Sequence, residues 1–246
     1  MIYRVLDLFS GIGAFSLGLE KTGAFETVAF CEIDPFCRQV LAKHWPKVPC
    51  FEDIRDLGRE HLADIGAINV ICGGFPCQDL SRAGSGEGLA GERSGLWREY
   101  LRLIREIRPN YVLVENVAAL LDRGMGVVLG DLAESGFDAE WSVVSGCSMG
   151  APHMRQRVFI VAYAHGLNGW PRIRDSLARQ DGPIQAIDRL ESARVGWRTR
   201  LANPSELYRD ANGVAFGMDR NHAIGNSILY QIPELIGRAI MAAEAA

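Results

Sequence analysis

The sequence predicts an α/β fold built on a doubly wound, mostly parallel sheet. Three observations predict it. Short apolar runs alternate with segments of helical period through the first two-thirds of the 246 residues. The opening run, Tyr3–Phe9, is apolar enough for a buried strand. A glycine-bearing turn, Gly11-Ile12-Gly13, joins that first strand to a helix.

The elements follow in order. After the strand Tyr3–Phe9 comes a helix over Ala14–Lys21, then a second strand over Thr27–Glu32. Asp34 followed by Pro35 is an N-cap with proline at the first helical position, which starts a helix over Pro35–Lys43. Ala67–Cys72 is a strand ending in Gly73-Gly74. Leu96, Trp97, Leu101, Ile104 and Ile107 recur at helical spacing, so Leu96–Arg108 is a helix that stops at Pro109. Tyr111–Val114 is a strand, Val127–Ser135 a helix, and Glu140–Val144 and Val158–Val161 further strands. From Tyr163 to about Arg220 clear periodicity is lost, which predicts a small second domain or an elaborated loop region. A last helix is expected over Ile228–Met241.

Composition narrows the class. No apolar run approaches the ~18 residues of a membrane span, and Asp7 sits where a signal peptide would be apolar. A globular, non-secreted, cytoplasmic protein is expected. None of the six cysteines forms a CxxC pair, so neither a zinc site nor a disulfide framework is expected. The net charge of −4 conceals a pattern. Residues 1–150 carry −7, residues 151–200 carry +5, and the basic window contains nine arginines and no lysine. Arginine suits phosphate and guanine edges, yet the chain has only three lysines in all, so the window alone leaves nucleic-acid binding open.

Chemistry concentrates at strand ends. Gly11 and Gly13 let a cofactor approach the backbone, and Glu32, 19 residues after Gly13, ends the second strand where an acid can take ribose hydroxyls. Ser16 stands where a dinucleotide pattern wants a third glycine, so these residues point to an adenosine-containing cofactor without separating a nicotinamide from S-adenosylmethionine. The fourth strand runs into Gly73-Gly74-Phe75-Pro76-Cys77, which puts a thiol at the ligand-binding edge of an open sheet. Pro76 keeps Phe75 extended, and five glycines between Gly84 and Gly95 suit a mobile lid. The next strand runs into Glu115-Asn116-Val117. A lone cysteine is more often a buried structural thiol, and a lone strand-end glutamate a surface carboxylate. Side by side at an adenosine site, they make a nucleophile and a carboxyl able to donate to a ring nitrogen.

With these residues the chain resembles the DNA (cytosine-5) methyltransferase family. The motifs occur in the family's order: Asp7–Glu20 (DLFSGIGAFSLGLE), Gly73–Ser81 (GGFPCQDLS), Glu115–Val117 (ENV), Ala151–Ile160 (APHMRQRVFI) and Gly225–Pro233 (GNSILYQIP). The resemblance implies a Rossmann-like catalytic domain over 1–162 plus 221–246, with a small irregular target-recognition region at 163–220. It implies that Cys77 attacks carbon 6 of a cytosine flipped out of duplex DNA, and that Glu115 holds ring nitrogen 3. Arg155 and Arg157 match the arginines that hold the base and support the loop. The implied cofactor is S-adenosylmethionine, leaving as S-adenosylhomocysteine. Phe9, Gly11, Ile12, Gly13, Glu32, Ile33, Asp53, Ile54, Pro76, Leu96, Asn226 and Ser227 match its binding positions, and no metal is implied. Gln78, Ser81, Arg93, Arg172 and Arg174 are the implied DNA contacts. The implied enzyme is a monomer acting on double-stranded DNA, with a cognate restriction endonuclease as functional partner.

The chain departs from the family pattern at three places. His153 replaces the usual glutamine of the eighth motif, Asp210–Arg220 stands in for the usual ninth motif, and the target-recognition region is compact. Three alternatives compete with the leading function. The tRNA-methylating branch carries a Cys-Phe-Thr segment, but no cysteine follows Cys147. A silent DNA-binding regulator would lack the nucleophile, and an NAD-dependent oxidoreductase gives no role to Cys77 or Glu115.

Overall fold

The computed structural model describes residues 2–76, 95–149, 155–166 and 227–245. Seven strands form one sheet in the order β3-β2-β1-β4-β5-β7-β6. They are β1 (Tyr3–Leu8), β2 (Phe25–Cys31), β3 (Cys50–Phe51), β4 (Val70–Gly73), β5 (Tyr111–Val117), β6 (Phe137–Ser145) and β7 (Gln156–Ala164). β1 to β5 pair in parallel, whereas β7 runs antiparallel to both β5 and β6. The helices are α1 (Ala14–Glu20), α2 (Pro35–His44), α3 (Gly95–Ile107), α4 (Leu120–Arg123), α5 (Met125–Glu134) and α6 (Gln231–Glu244). A short 3-10 helix spans Arg59–Ile65. Among the described residues no helix is long and apolar enough to cross a membrane.

Alternating side chains explain why both faces are covered. Leu6, Leu8, Ile71, Val112 and Val114 point to one face, where Trp97, Tyr100 and Ile104 of α3 and Val128 and Leu132 of α5 complete a core. Val5, Val70, Cys72, Leu113 and Val161 point to the other, against Phe15 and Leu19 of α1 and Ile232, Ile236 and Ile240 of α6. α1 and α6 meet closely at Gly18, where a Cβ would lie 2.1 Å from the Tyr230 carbonyl oxygen. The last helix of the chain is thereby locked to the first.

The doubly wound architecture expected from the sequence is the one observed, with revised boundaries. Asp34 caps α2 as anticipated, accepting from the backbone N–H groups of Phe36 and Cys37. β4 begins at Val70 instead of Ala67, and Arg4 holds the segment before it: its Nε donates to the Ala67 carbonyl, and its backbone N–H to the side-chain Oδ1 of Asn69. β5 continues through Val117 because β7 pairs with it up to Val117 opposite Arg157. β7 spans Gln156–Ala164, longer at both ends than the expected Val158–Val161, since it also pairs with β6 along its full length. α6 begins at Gln231, not Ile228. Pro233 has no N–H to donate and is tolerated only in the first turn. β3, α4 and the 3-10 helix are too short to leave a periodic signal.

Candidate active site

The carboxyl edge of the sheet gathers the expected residues into two adjoining regions. The first is the turn after β1. Phe9 adopts φ 51°, followed by Gly11 at 54° and Gly13 at 82°. Left-handed backbone is unfavourable for phenylalanine, so the surroundings must hold it there. Ser10 supplies part of that restraint, its hydroxyl donating to the Asp7 carbonyl at 2.6 Å. Glu32, just past β2, is nearly buried, with 9% exposure. One of its oxygens accepts the Gly11 N–H at 2.7 Å and the other the Asp34 N–H at 2.8 Å. Each oxygen keeps a further lone pair for an incoming hydroxyl.

Asp53 lies two residues beyond β3 on the same edge. Arg55 folds back on it, Nε at 3.0 and 3.1 Å from the two carboxylate oxygens, and holds the carboxyl below its ordinary range. Ile33 is 59% exposed and Phe9 half-buried, so apolar surface is available beside these carboxylates. A nucleoside with ribose hydroxyls and an amino edge fits this donor set. S-adenosylmethionine has both, and Phe9, Gly11, Ile12, Gly13, Glu32, Ile33, Asp53 and Ile54 are the residues that would hold it. Leu96 packs half-buried on the same core as Phe9, while Pro76 and Ser227 are both half-buried.

The second region begins where β4 ends. Gly74 gives Glu115 room, since a Cβ there would stand 2.5 Å from Glu115 Oε2 and would displace the carboxylate. Glu115 reaches across from β5, and Arg157 of β7 sets its Nε 2.8 Å from Glu115 Oε1. The contact is an ion pair off the hydrogen-bonding direction, because no aligned donor serves that oxygen. Burial pushes the Glu115 carboxyl up to about 7, against the opposing pull of Arg157 and Arg155. A carboxyl so placed is partly protonated near neutrality and can donate to a ring nitrogen. Burial, with Arg157 as neighbour, lowers the pKa of Arg155 in turn. Asn116 donates to the Phe75 carbonyl oxygen at 3.0 Å, tying β5 to the start of the active-site loop.

Four aromatic rings link the two regions. Phe9 stacks on Tyr100 at 6.3 Å between centroids, Tyr100 lies 5.7 Å from Trp97, and Trp97 lies 5.3 Å from Phe75. α3 thus packs two rings between the cofactor turn and the loop that leads to Cys77.

Cys77, Gln78, Ser81, Arg93, His153, Arg172, Arg174 and Asn226 lie outside the described residues. No cluster of metal-ligating side chains occurs among the described ones. One buried residue escaped the sequence reasoning. Asp7, fully enclosed, accepts from the Ser16 hydroxyl at 2.7 Å through Oδ2, and its Oδ1 has no partner. Burial raises its pKa to about 7. The available signal was an acid inside the apolar run Val5–Phe9.

Comparison with known proteins bears on this geometry. A family model described as C-5 cytosine-specific DNA methylase matches residues 3–199. The Type II methyltransferase M2.BsuMI of Bacillus subtilis (strain 168) is 38% identical over 167 residues, covering 65% of this chain and 41% of the relative. The Type II methyltransferase M.Sau3AI of Staphylococcus aureus is 34% identical over 202 residues, covering 75% of this chain and 47% of the relative. The chain therefore matches less than half the length of either. The crystal structure of the S. pombe Dnmt2 methyltransferase shares the fold, with a TM-score of 0.61 at 21% identity over 73% of this chain and 56% of that one.

Proposed function

The chain belongs to the C-5 cytosine-specific DNA methylase family, and from that premise we propose that it methylates carbon 5 of cytosine in duplex DNA, using S-adenosylmethionine. The observation that carries the proposal is the Glu115–Arg157 pair at the mouth of the Gly74-Phe75-Pro76-Cys77 segment, on the sheet edge that also bears the Gly11–Glu32 turn. An adenosine site alone would suit many enzymes. A buried carboxyl of raised pKa beside a prolyl-cysteine loop suits attack on a pyrimidine ring.

The residues divide the work as follows. Cys77, as thiolate, forms a bond to carbon 6 of the flipped cytosine, and the displaced electron pair moves into the ring toward nitrogen 3. Glu115 meets that developing charge by donating its proton toward nitrogen 3, and Arg157 keeps the carboxyl in place. Carbon 5 becomes electron-rich as a result. S-adenosylmethionine, when bound, supplies an electrophilic methyl group on a sulfonium sulfur. Glu32 and the Gly11 turn orient its ribose, and Asp53 and Ile54 its adenine edge. Removal of the carbon 5 proton by a base lets the Cys77 thiolate depart from carbon 6, and nitrogen 3 returns its proton to Glu115, restoring the aromatic ring.

On the same reading, residues 1–162 and 221–246 form the catalytic unit and 163–220 the target-recognition region. The packing of α6 on α1 supports placing residues 227–245 in that unit. Gln78, Ser81, Arg93, Arg172 and Arg174 are proposed DNA contacts. The Type II names of its relatives support a functional pairing with a restriction endonuclease, and a monomer in the cytoplasm is part of the same proposal.

The test is transfer of labelled methyl from S-adenosylmethionine to unmethylated duplex DNA and to tRNA, with Cys77→Ala in parallel. Label in DNA at carbon 5 that is absent with Cys77→Ala is the expected result. Label in tRNA alone would move the substrate to the tRNA branch of the family. No label with cofactor-bound protein would leave a silent DNA binder.

A further inference from the structure

One side chain of α3 grips the turn that carries Asp53 and Ile54. Arg102 donates through one terminal nitrogen to the Ile54 carbonyl at 2.9 Å and the Leu57 carbonyl at 2.8 Å. Its other two nitrogens are held from α3 itself, Nε by Glu99 at 2.8 Å and the second terminal nitrogen by Glu106 at 2.9 Å. Glu106 reaches further, its second oxygen accepting the Arg59 N–H at 3.3 Å. The turn is thus fastened to α3 near both ends, while Ile54 and Leu57 sink into the core at 3% and 2% exposure. Within it, the Asp56 N–H bonds the Asp53 carbonyl at 3.1 Å and the Leu57 N–H the Ile54 carbonyl at 3.3 Å. A planar guanidinium can serve two carbonyls and two carboxylates at once, whereas a lysine ammonium cannot span them.

We propose that Arg102 is a positioning residue for nucleobase selection: by gripping the Ile54 and Leu57 carbonyls it holds the Asp53–Ile54 edge where it accepts the amino group of adenine and rejects a 6-oxopurine. The inference rests on the cofactor assignment above. Its chemistry is a matter of matched polarity. Adenine presents a donor at position 6 and an acceptor at nitrogen 1, and hypoxanthine presents the reverse. Arg55 keeps Asp53 ionised and therefore an acceptor only. A fixed acceptor discriminates by leaving the wrong base with an unpaired or opposed group, but only while its position is fixed. Nothing in Arg102 itself need touch the ligand.

The experiment is calorimetric binding of S-adenosylhomocysteine and of S-inosylhomocysteine to the full chain, its Arg102→Met variant and its Arg102→Lys variant. Circular dichroism serves as the folding control. Wild type should prefer the adenosyl compound. In Arg102→Met that preference should fall about tenfold, the scale of losing a charge-assisted pair of hydrogen bonds. Arg102→Lys should recover part of it, and it provides the comparison if Arg102→Met does not fold. Equal weakening of both ligands, with the preference intact, would show that Arg102 merely supports the fold and would overturn the proposal. Wild type that binds neither compound would instead overturn the cofactor assignment on which it stands.

Discussion

Asn116 and Phe75 are 41 residues apart, yet the Asn116 side-chain amide donates to the Phe75 carbonyl at 3.0 Å inside the protein. The strand that carries Glu115 therefore also holds the backbone two residues before Cys77. The start of the segment that leads to Cys77 is thereby tied to the strand that carries Glu115. Asn116→Ala leaves that carbonyl without its donor, which should cost about 1–3 kcal/mol of stability. Methyl transfer at saturating substrates should slow as well, because the loop start is no longer held against β5. Urea denaturation and single-turnover kinetics on the same preparation check both expectations.

Glu115 gives the activity a pH signature. With its carboxyl raised to about 7 by burial, the proton that supports ring attack is lost as the pH climbs past neutrality. kcat/KM for DNA should therefore show a falling limb above about pH 7. Glu115→Gln cannot ionise, so its residual activity should lack that limb. A limb that persists in Glu115→Gln would assign it to another group.

Asp7 and Glu115 also make stability depend on pH. Both carboxyls are raised in the folded protein, from 3.8 and 4.5 to about 7. The folded chain therefore binds more protons than the unfolded chain between about pH 4 and 7. This contribution is complete below the unfolded values and is lost as the pH rises through about 7. Thermal unfolding at pH 5 and pH 8 should give the lower midpoint at pH 8 from these two groups, and Asp7→Asn should narrow the difference.

Glu32 anchors two backbone N–H groups and is the proposed ribose acceptor. Glu32→Ala frees the Gly11 and Asp34 N–H groups and removes the hydroxyl site, so affinity for S-adenosylhomocysteine should fall by at least about tenfold. Glu32→Gln keeps one acceptor oxygen and should fall between wild type and Glu32→Ala. Titration calorimetry gives the order directly.

Gly18 tests the closure of the fold. A methyl group there would lie 2.1 Å from the Tyr230 carbonyl oxygen, which belongs to backbone and cannot swing aside. Gly18→Ala should cost about 1–3 kcal/mol by forcing α1 and α6 apart. Limited proteolysis should then release the carboxy-terminal helix before the sheet is cut.

Much was legible in the sequence because local physics carries it. Unbroken apolar runs and helical spacing determined the element order, and Asp34-Pro35 determined a helix start that the structure reproduces. The strand-end residues Glu32 and Glu115 could be named because a parallel sheet sends its strand ends to one edge, whereas Asp53 was named only through the family resemblance. What tertiary structure alone decided is how those residues behave. Glu115 is raised to about 7 because the surrounding core excludes water, against the opposing pull of Arg157, which β7 brings from 42 residues away. Asp7 is enclosed with one oxygen unpaired because α1 and β4 close over it. Arg102 looks in the sequence like any charge on an amphipathic helix, and only the folding of residues 53–57 beneath α3 gives it two carbonyls to hold. Periodicity is a property of neighbours along the chain. Burial, ionisation and alignment depend on residues far apart in it, and so they emerge only once the sheet is assembled.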